Sequence, residues 1–197
     1  MQQSPAKTPA RRVTARERLL AAAARVFYAD GIHSTPVDRV IEEAGVTRAT
    51  FYRHFPSKEA LVVAYVEARD TEVRRLAGRA AEAYADPADL LRTLVDAVAD
   101  EMCGPAFRGC LFINAAAEYP DPAHPVRQAV AAHRNWLRAT LAELLARTGH
   151  PDPEEAAALL VMARDGAMVA GYLETPASAR ARLSTAVASI TGPRPGH

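Results

Sequence analysis

The sequence of 197 residues has little cysteine and no long apolar run. Its two cysteines, Cys103 and Cys110, are too few for a disulfide framework, and if one helix holds both, their spacing of seven positions keeps them too far apart to bond to each other. We find no run of about eighteen apolar residues, so we expect no transmembrane helix and no membrane partner. Residues 1–13 lack the apolar core of a secretory signal. Together these absences predict a cytoplasmic protein.

The motifs of common catalytic sites are also missing. We find no G-x-S-x-G, no H-E-x-x-H, no phosphate-binding loop and no group of cysteines and histidines with metal-ligand spacing. We therefore expect no enzyme activity, no metal and no cofactor. Two alternatives stay open: a helical enzyme without these motifs, and a thiol-based redox sensor that uses Cys103 and Cys110, beside which Arg108 is the only basic residue.

Alanine and an uneven distribution of charge are what the sequence has instead. Alanine, the strongest helix former, occupies 43 positions, so the predicted fold class is all-α. Residues 1–58 contain ten Lys or Arg against five Asp or Glu, whereas residues 59–197 contain fourteen against eighteen. The first part therefore carries a formal charge of +5 and the second −4. A basic N-terminal third indicates a surface that meets a polyanion.

Capping residues predict where the first helices begin and end. Thr14 and Glu17 form a capping box at the start of the first helix, which we expect to end at Gly31 as a left-handed C-cap. Thr35 is the expected N-cap of a second helix, with Pro36 at its first helical position.

The remaining boundaries follow from the same signals and give about nine helices in all. Gly45 ends the second helix, Thr47 caps a third over residues 48–54, and Ser57 caps a fourth over residues 58–85. No segment has the pattern of a strand. Further helices are expected over residues 88–102, 106–118, 125–147, 153–173 and 176–191.

Residues 35–58 carry the pattern that points to function. Two short helices joined through Gly45, with apolar spacing that makes them cross, are typical of a helix-turn-helix. In that motif the second helix enters the major groove of DNA with its N-terminal residues first. Phe51 and Phe55 are expected to face the core, which leaves a polar face for DNA. The candidate DNA-binding residues are Thr35, Thr47, Arg48, Thr50, Tyr52, Arg53, His54 and Lys58.

These candidates differ in the chemistry they offer. Arg48 suits a bidentate contact with a guanine edge, and Thr50 suits a phosphate or a thymine methyl group. Thr35 and Lys58 stand at helix starts, where free backbone amides favour an anion such as phosphate. Donors for phosphates or the groove wall are Tyr52, Arg53 and His54.

The run VTRATFYRHFPSKEAL resembles the recognition helix and following turn of TetR-family transcription regulators, and RERLLAAAARVFYADGIHSTPVDRVIEEAGV resembles the rest of their DNA-binding domain. The resemblance covers residues 14–62. It implies an Ω-shaped homodimer with a helix-turn-helix domain and a larger helical ligand-binding and dimerisation domain in each chain. Family positions that match Arg48 and Arg53 vary, which implies that these two carry the choice of sequence. Family positions that commonly contact DNA match Thr35, Arg48, Thr50, Tyr52, His54 and Lys58.

Four segments follow from this organisation. We expect residues 1–13 to be a flexible basic tail, 14–57 the helix-turn-helix domain, 58–192 the ligand-sensing and dimerisation domain, and 193–197 a loose tail.

Aromatic, sulfur-containing and polar residues of the C-terminal domain are candidates for a ligand pocket, although packing within the core is the alternative for each. Asn114 and Asp165 lie within apolar helices and need a buried partner, which is either a ligand or a neighbouring helix. The candidate pocket residues are Phe107, Cys110, Phe112, Asn114, His133, Trp136, Met162, Asp165 and Met168.

The last two helices carry small residues and an apolar stripe that suit a dimer interface, with packing inside one chain as the alternative. The candidate interface residues are Ala163, Ala167, Ala170, Leu183, Val187 and Ile190.

The function that we predict is a ligand-responsive transcriptional regulator. It is expected to be a repressor that leaves a palindromic DNA operator when an unidentified small molecule binds the C-terminal domain of the homodimer. A helical adaptor that binds protein through its N-terminal domain is a further alternative, which salt distinguishes because phosphate contacts weaken steeply as salt rises.

Overall fold

The computed structural model describes residues 13–192, and within them every regular element is an α-helix. The all-α prediction and the number of helices are confirmed for this part of the chain. The predicted tails lie outside the described residues, apart from Val13. The helices are α1 (Ala15–Asp30), α2 (Val37–Ala44), α3 (Arg48–His54), α4 (Lys58–Ala83), α5 (Pro87–Met102), α6 (Leu111–Glu118), α7 (Pro125–Arg147), α8 (Pro153–Leu173) and α9 (Pro176–Thr191).

Side-chain caps set the starts of α1, α3 and α4 as predicted. The Thr14 hydroxyl accepts from the Glu17 amide at 3.2 Å, and the Glu17 carboxylate accepts from the Thr14 amide at 2.8 Å. Thr47 caps α3 by accepting from the Thr50 amide at 3.1 Å. Ser57 caps α4 in the same way. Each cap satisfies an amide that has no partner within its helix.

The turn between α1 and α2 differs from the prediction. Thr35 is buried, and its hydroxyl donates to the Gly31 carbonyl at 2.7 Å, so it closes the turn and leaves Pro36 as the N-cap of α2. Gly31 ends α1, but with φ 92° and ψ 154° it lies outside the left-handed helical region. Gly45 does adopt that conformation, with φ 60° and ψ 45°.

Two later boundaries also differ. The helix predicted to begin at residue 106 begins at Leu111, because residues 103–110 form a loop in which Gly109 has φ 82°. The fourth helix ends at Ala83, two residues before the predicted end. Asp86 then caps α5.

A single hydrophobic core joins the first three helices to the helices that follow them. Phe51 and Phe55 are buried as predicted, and they belong to the same cluster of buried side chains as Tyr65, Met102 and Met168. A second cluster fills the far end of the molecule, between α5, α7 and α8. The buried side of α3 is therefore continuous with the core of the C-terminal helices.

By length and composition alone, α8 is apolar enough to cross a membrane. Arg164 and Asp165 interrupt the apolar residues of α8, so the helix contains no run of eighteen consecutive apolar residues, as expected from the sequence. About two-fifths of its most apolar window is buried inside the protein, where α8 packs against α7 and α9. Core helices of soluble proteins have the same composition.

Candidate functional site

The helix-turn-helix is built on α1 and on buried aromatic residues. The Arg18 guanidinium donates to the Gly45 carbonyl at 3.1 Å, which holds the turn between α2 and α3 against α1. Beneath α3, Phe51 is fully buried, and its ring centroid lies 6.1 Å from that of Phe55. The opposite face of α3 is left to the solvent.

The exposed face of α3 carries the predicted polar residues. Arg48 forms an ion pair with Asp38 of α2, and both side chains are about two-thirds exposed, so the pair holds Arg48 only weakly. The Thr47 and Thr50 hydroxyls are hydrogen-bonded at 2.9 Å. Tyr52 is 48% exposed. Arg53 is also exposed, and His54 is partly buried.

Lys58 stands at the edge of this face, at the start of α4. Its ammonium donates to the His33 carbonyl at 3.3 Å, and desolvation by burial lowers the pKa of Lys58. Arg16 is an additional basic group that sequence reasoning missed, with its guanidinium 5.3 Å from the centre of the Phe55 ring. Its place in the basic N-terminal third was the only signal in the sequence, and nothing there indicated that Arg16 lies beside Phe55.

Thr35 is a correction to the predicted DNA-binding set. Its side chain is 1% exposed and its hydroxyl is bonded to the Gly31 carbonyl, so it has no free surface to offer to a phosphate. The position of Thr35 just before the start of α2 favoured the prediction, but the tight turn directs the side chain inward.

In the C-terminal helices, two of the predicted pocket residues form a buried stack. The rings of Phe112 and His133 are parallel within 5°, with centroids 3.6 Å apart. His133 Nδ1 is 2.8 Å from the Asp70 carboxylate, which also accepts from Arg74. Burial lowers the pKa of His133, and the bond to Asp70 opposes that shift. The Arg74 guanidinium lies 4.5 Å from the ring centre of Trp136 and completes the cluster.

Asp165 finds its partners within the protein. It accepts from Arg134 of α7 at 2.6 Å and from Arg164 at 3.0 Å. The same Arg164 guanidinium nitrogen is 3.1 Å from the Cys110 sulfur. Of the two alternatives stated for Asp165, the neighbouring helix is the one present.

Other pocket candidates differ widely in their exposure to solvent. Asn114 is exposed, and its amide donates to the Arg108 carbonyl at 2.9 Å, because α6 begins late and leaves Asn114 over the preceding loop. Met162 is 65% exposed, whereas Met168 is fully buried in the core. Among the nine candidates, Phe107 lines a cleft between α1, α4 and the loop of residues 103–110.

Contacts from the loop of residues 103–110 and from α6 hold the end of α1. The Tyr28 hydroxyl donates to the Gly109 carbonyl at 2.8 Å and accepts from the Arg108 amide at 2.9 Å. Glu118 at the end of α6 accepts from the Ile32 amide at 2.8 Å and from the His33 amide at 2.5 Å. These bonds join the helix-turn-helix unit to the C-terminal part of the chain, and the sequence had no signal for them.

The predicted dimer residues divide between core and surface. Leu183 is 3% exposed and Ala167 is likewise buried, so both pack inside their own chain, as the alternative stated. Ala163, Ala170, Val187 and Ile190 are partly buried. The exposed apolar side chains of α8 are instead Leu159, Met162, Val169, Tyr172 and Leu173.

Comparison with known proteins agrees with this geometry. The family model "Bacterial regulatory proteins, tetR family" matches residues 19–65, and "Tetracyclin repressor-like, C-terminal domain" matches residues 87–187. The crystal structure of SCO4454, a TetR-family transcriptional regulator from Streptomyces coelicolor, superposes with a TM-score of 0.87. Its sequence is 46% identical, over 90% of this chain and 94% of that one.

Two further relatives extend the comparison. The HTH-type transcriptional regulator LmrA of Bacillus subtilis is 29% identical over 137 residues, which are 68% of this chain and 72% of the relative. A TetR-type regulator structure from Streptomyces avermitilis has a TM-score of 0.77 at 26% identity, over 90% of this chain and 98% of that one.

A helix-turn-helix unit joined to a larger helical domain defines a DNA-binding transcriptional regulator. The matches show that the chain belongs to the TetR family of such regulators. The family resemblance and the prediction of a regulator are confirmed, and this is not a family of enzymes.

Proposed function

We propose that the protein is a cytoplasmic repressor that binds a palindromic operator as a homodimer and leaves it when a small molecule binds the C-terminal domain. The observation that carries the proposal is the polar face of α3, which is exposed above a buried base of Phe51 and Phe55. The bonds of Tyr28 and Glu118 support coupling between the two domains.

DNA contact replaces weak interactions on this face with strong ones. Arg48 exchanges its exposed partner Asp38 for a guanine edge, to which it donates two hydrogen bonds. Tyr52 and Lys58 contact phosphates and fix the register of α3 on the duplex. A twofold dimer then reads two half-sites about 34 Å apart, or a multiple of that distance.

The second copy of the chain covers the apolar face of α8. Five large apolar side chains are exposed along this helix, at spacings that place them together on one side: Leu159, Met162, Val169, Tyr172 and Leu173. An exposed apolar surface of this kind marks an interaction site. Pairing α8 and α9 with their twofold copies gives a four-helix bundle.

Arg48→Ala tests the assignment of α3. Fluorescence anisotropy with labelled DNA from beside the protein's own gene measures the affinity of the variant and of the wild type. Loss of the base contact is expected to cost about 1–3 kcal/mol of binding and to relax the preference at one base pair per half-site.

Arg92→Ala is the matched control, because Arg92 also forms an exposed ion pair, with Asp89 on α5, far from α3 in the chain. It is expected to bind DNA like the wild type. Equal affinities and equal base preferences in both variants would contradict the role of Arg48.

Thiol sensing is a second candidate function, favoured by the Arg164 guanidinium that lies 3.1 Å from the Cys110 sulfur. Under this function, N-ethylmaleimide releases the wild type from DNA and leaves Cys110→Ser bound. Release of Cys110→Ser together with retention by Cys103→Ser would assign the effect to the exposed Cys103 instead.

A further inference from the structure

We propose that the cleft between α1, α4 and the loop of residues 103–110 binds an uncharged, largely apolar small molecule with one hydrogen-bond-accepting oxygen, and that this molecule controls DNA binding through α1. The inference rests on the function proposed above, because DNA binding is the activity under control. It differs from sensing within the C-terminal core, since one wall of the cleft belongs to the helix-turn-helix unit.

The size and lining of the cleft suit a compact apolar molecule. Its volume is about 560 Å³, within the range of small-molecule sites. Leu20 and Ala24 of α1 form one wall, Ala68 of α4 another, and Pro105 and Phe107 of the loop the third. A second cleft of about 690 Å³ adjoins it and shares Ala24 and Phe107.

Tyr65 provides the polar group that selects an acceptor oxygen. It lines the cleft and is 4% exposed, and its hydroxyl makes no hydrogen bond to any residue in the described range 13–192. Burial raises the pKa of Tyr65, so the hydroxyl remains a donor at neutral pH. The Tyr28 hydroxyl is already bonded to the loop on both sides. An acceptor oxygen in the cleft therefore completes the bonding of Tyr65.

The charges around the cleft favour an uncharged molecule. Arg69 of α4 and Glu101 of α5 both line it, and they form an ion pair with a nitrogen–oxygen distance of 2.6 Å. Because each neutralises the other, neither is free to hold a ligand of opposite charge. A charged ligand would have to break this pair before gaining a partner.

An occupant of the cleft acts directly on the helix-turn-helix. Leu20, Ala24 and Tyr28 recur every four residues, so they share one face of α1. A molecule that separates this face from the loop weakens the two bonds of Tyr28. The α1–α2 turn, which Glu118 holds only four residues further on, then shifts and takes α3 with it. The molecule changes DNA affinity because it binds the DNA-free arrangement better.

The far end of the molecule has a larger cleft, of about 980 Å³, between α5, α9 and the loop before α8. Its lining includes charged residues such as Arg92, Asp96 and Arg147, and no residue of α1, α2 or α3. It has no comparable route to the recognition helix.

The test uses the full chain and prodan, an uncharged aromatic ketone whose fluorescence reports polarity and hydrogen bonding. In the absence of DNA, the wild type is expected to bind prodan saturably with a blue-shifted emission. Ala68→Trp and Ala24→Trp fill the cleft from opposite walls and are expected to weaken binding at least tenfold. Both alanines are exposed, so neither change disturbs the core.

Tyr65→Phe removes only the donor and is expected to weaken prodan binding about three- to tenfold. Ala146→Trp on the exposed side of α7 is the matched control and is expected to bind like the wild type. Absence of saturable binding to the wild type, or equal binding by the wild type and both tryptophan variants at the cleft, would overturn the site.

Control of DNA binding is measured by anisotropy with the same proteins. Prodan is expected to release the wild type from DNA, and to release Ala68→Trp only at a concentration at least ten times higher. Retention of DNA by prodan-saturated wild type would overturn the control through α1. If the protein binds prodan as expected but never binds DNA, the proposed repressor function fails and the cleft remains as a binding site.

Discussion

Helices α3 and α8 distribute their side chains in opposite ways. In α3 the aromatic Phe51 is buried, and the charged Arg48 and Arg53 are exposed. In α8 the charged pair Arg164 and Asp165 is largely buried and bonded within the protein, while large apolar residues are exposed. The exposed face of each helix has the chemistry of its expected partner. A polar, basic face suits the phosphates and base edges of DNA, and an apolar face suits a second apolar surface.

Val169→Glu tests the exposed apolar face of α8 and has the largest expected effect. A charge at the centre of the apolar face is desolvated without a partner in the dimer, so the variant is expected to be a monomer at micromolar concentration. Light scattering would then give the 21.2 kDa of one chain instead of twice that mass. Leu76→Glu on α4 changes a similarly exposed apolar residue and is the control, which should remain dimeric. A persistent Val169→Glu dimer would move the interface elsewhere.

Asp165→Ala tests whether the charges of α8 are structural. It leaves the Arg164 guanidinium buried without its carboxylate, and the free energy of unfolding is expected to fall by about 3 kcal/mol. Asp38→Ala removes the exposed partner of Arg48 and should change stability by less than about 1 kcal/mol. Urea denaturation measures both, and equal losses would remove the distinction between the two helices.

Tyr52→Ala tests the exposed polar face of α3. Loss of a phosphate contact is expected to weaken DNA binding about tenfold for every sequence, with little change in stability. Tyr84→Ala is the control, because Tyr84 is 42% exposed against 48% for Tyr52 but lies after the end of α4. Anisotropy on specific and random DNA compares the two variants. Equal losses of affinity in the two variants would contradict a phosphate contact by Tyr52.

His133 gives the smallest expected effect. Burial lowers its pKa in the folded state below the ordinary value of about 6.5, so the unfolded chain binds more protons between these two values. The contribution of neutral His133 to the free energy of unfolding is therefore complete above about pH 6.5 and is lost as the pH falls through this window. In His133→Gln, the decline between pH 7.5 and 5.5 should be shallower than in the wild type. Parallel stability curves, measured by urea denaturation at each pH, would contradict this assignment.

Local signals made the first helices predictable. Thr14, Thr47 and Ser57 cap their helices through bonds to amides three residues on, so sequence spacing alone locates them. Thr35 has the same residue type before a helix, but a bond back to Gly31 takes its hydroxyl. The turn that this bond to Gly31 closes is equally local, but the capping pattern did not predict it.

The arrangement of side chains in the C-terminal helices depends on contacts between residues that are distant in sequence. The bond between Asp70 and His133 joins residues 63 positions apart, and that between Tyr28 and Gly109 joins residues 81 apart. Helical periodicity does not report which helices become neighbours. Met162, which was predicted to line a pocket, is 65% exposed on α8, and the wall that α1 contributes to a cleft was missed.

The measurement that tests the central claim most directly is anisotropy of the wild type on DNA from beside its own gene, at about 50 and 200 mM salt, with random DNA as competitor. We expect tight binding that survives the competitor and weakens steeply as salt rises, because basic side chains at α3 and the start of α4 release counterions from phosphates. Absence of binding at the lower salt concentration would contradict the assignment of the α3 face to DNA.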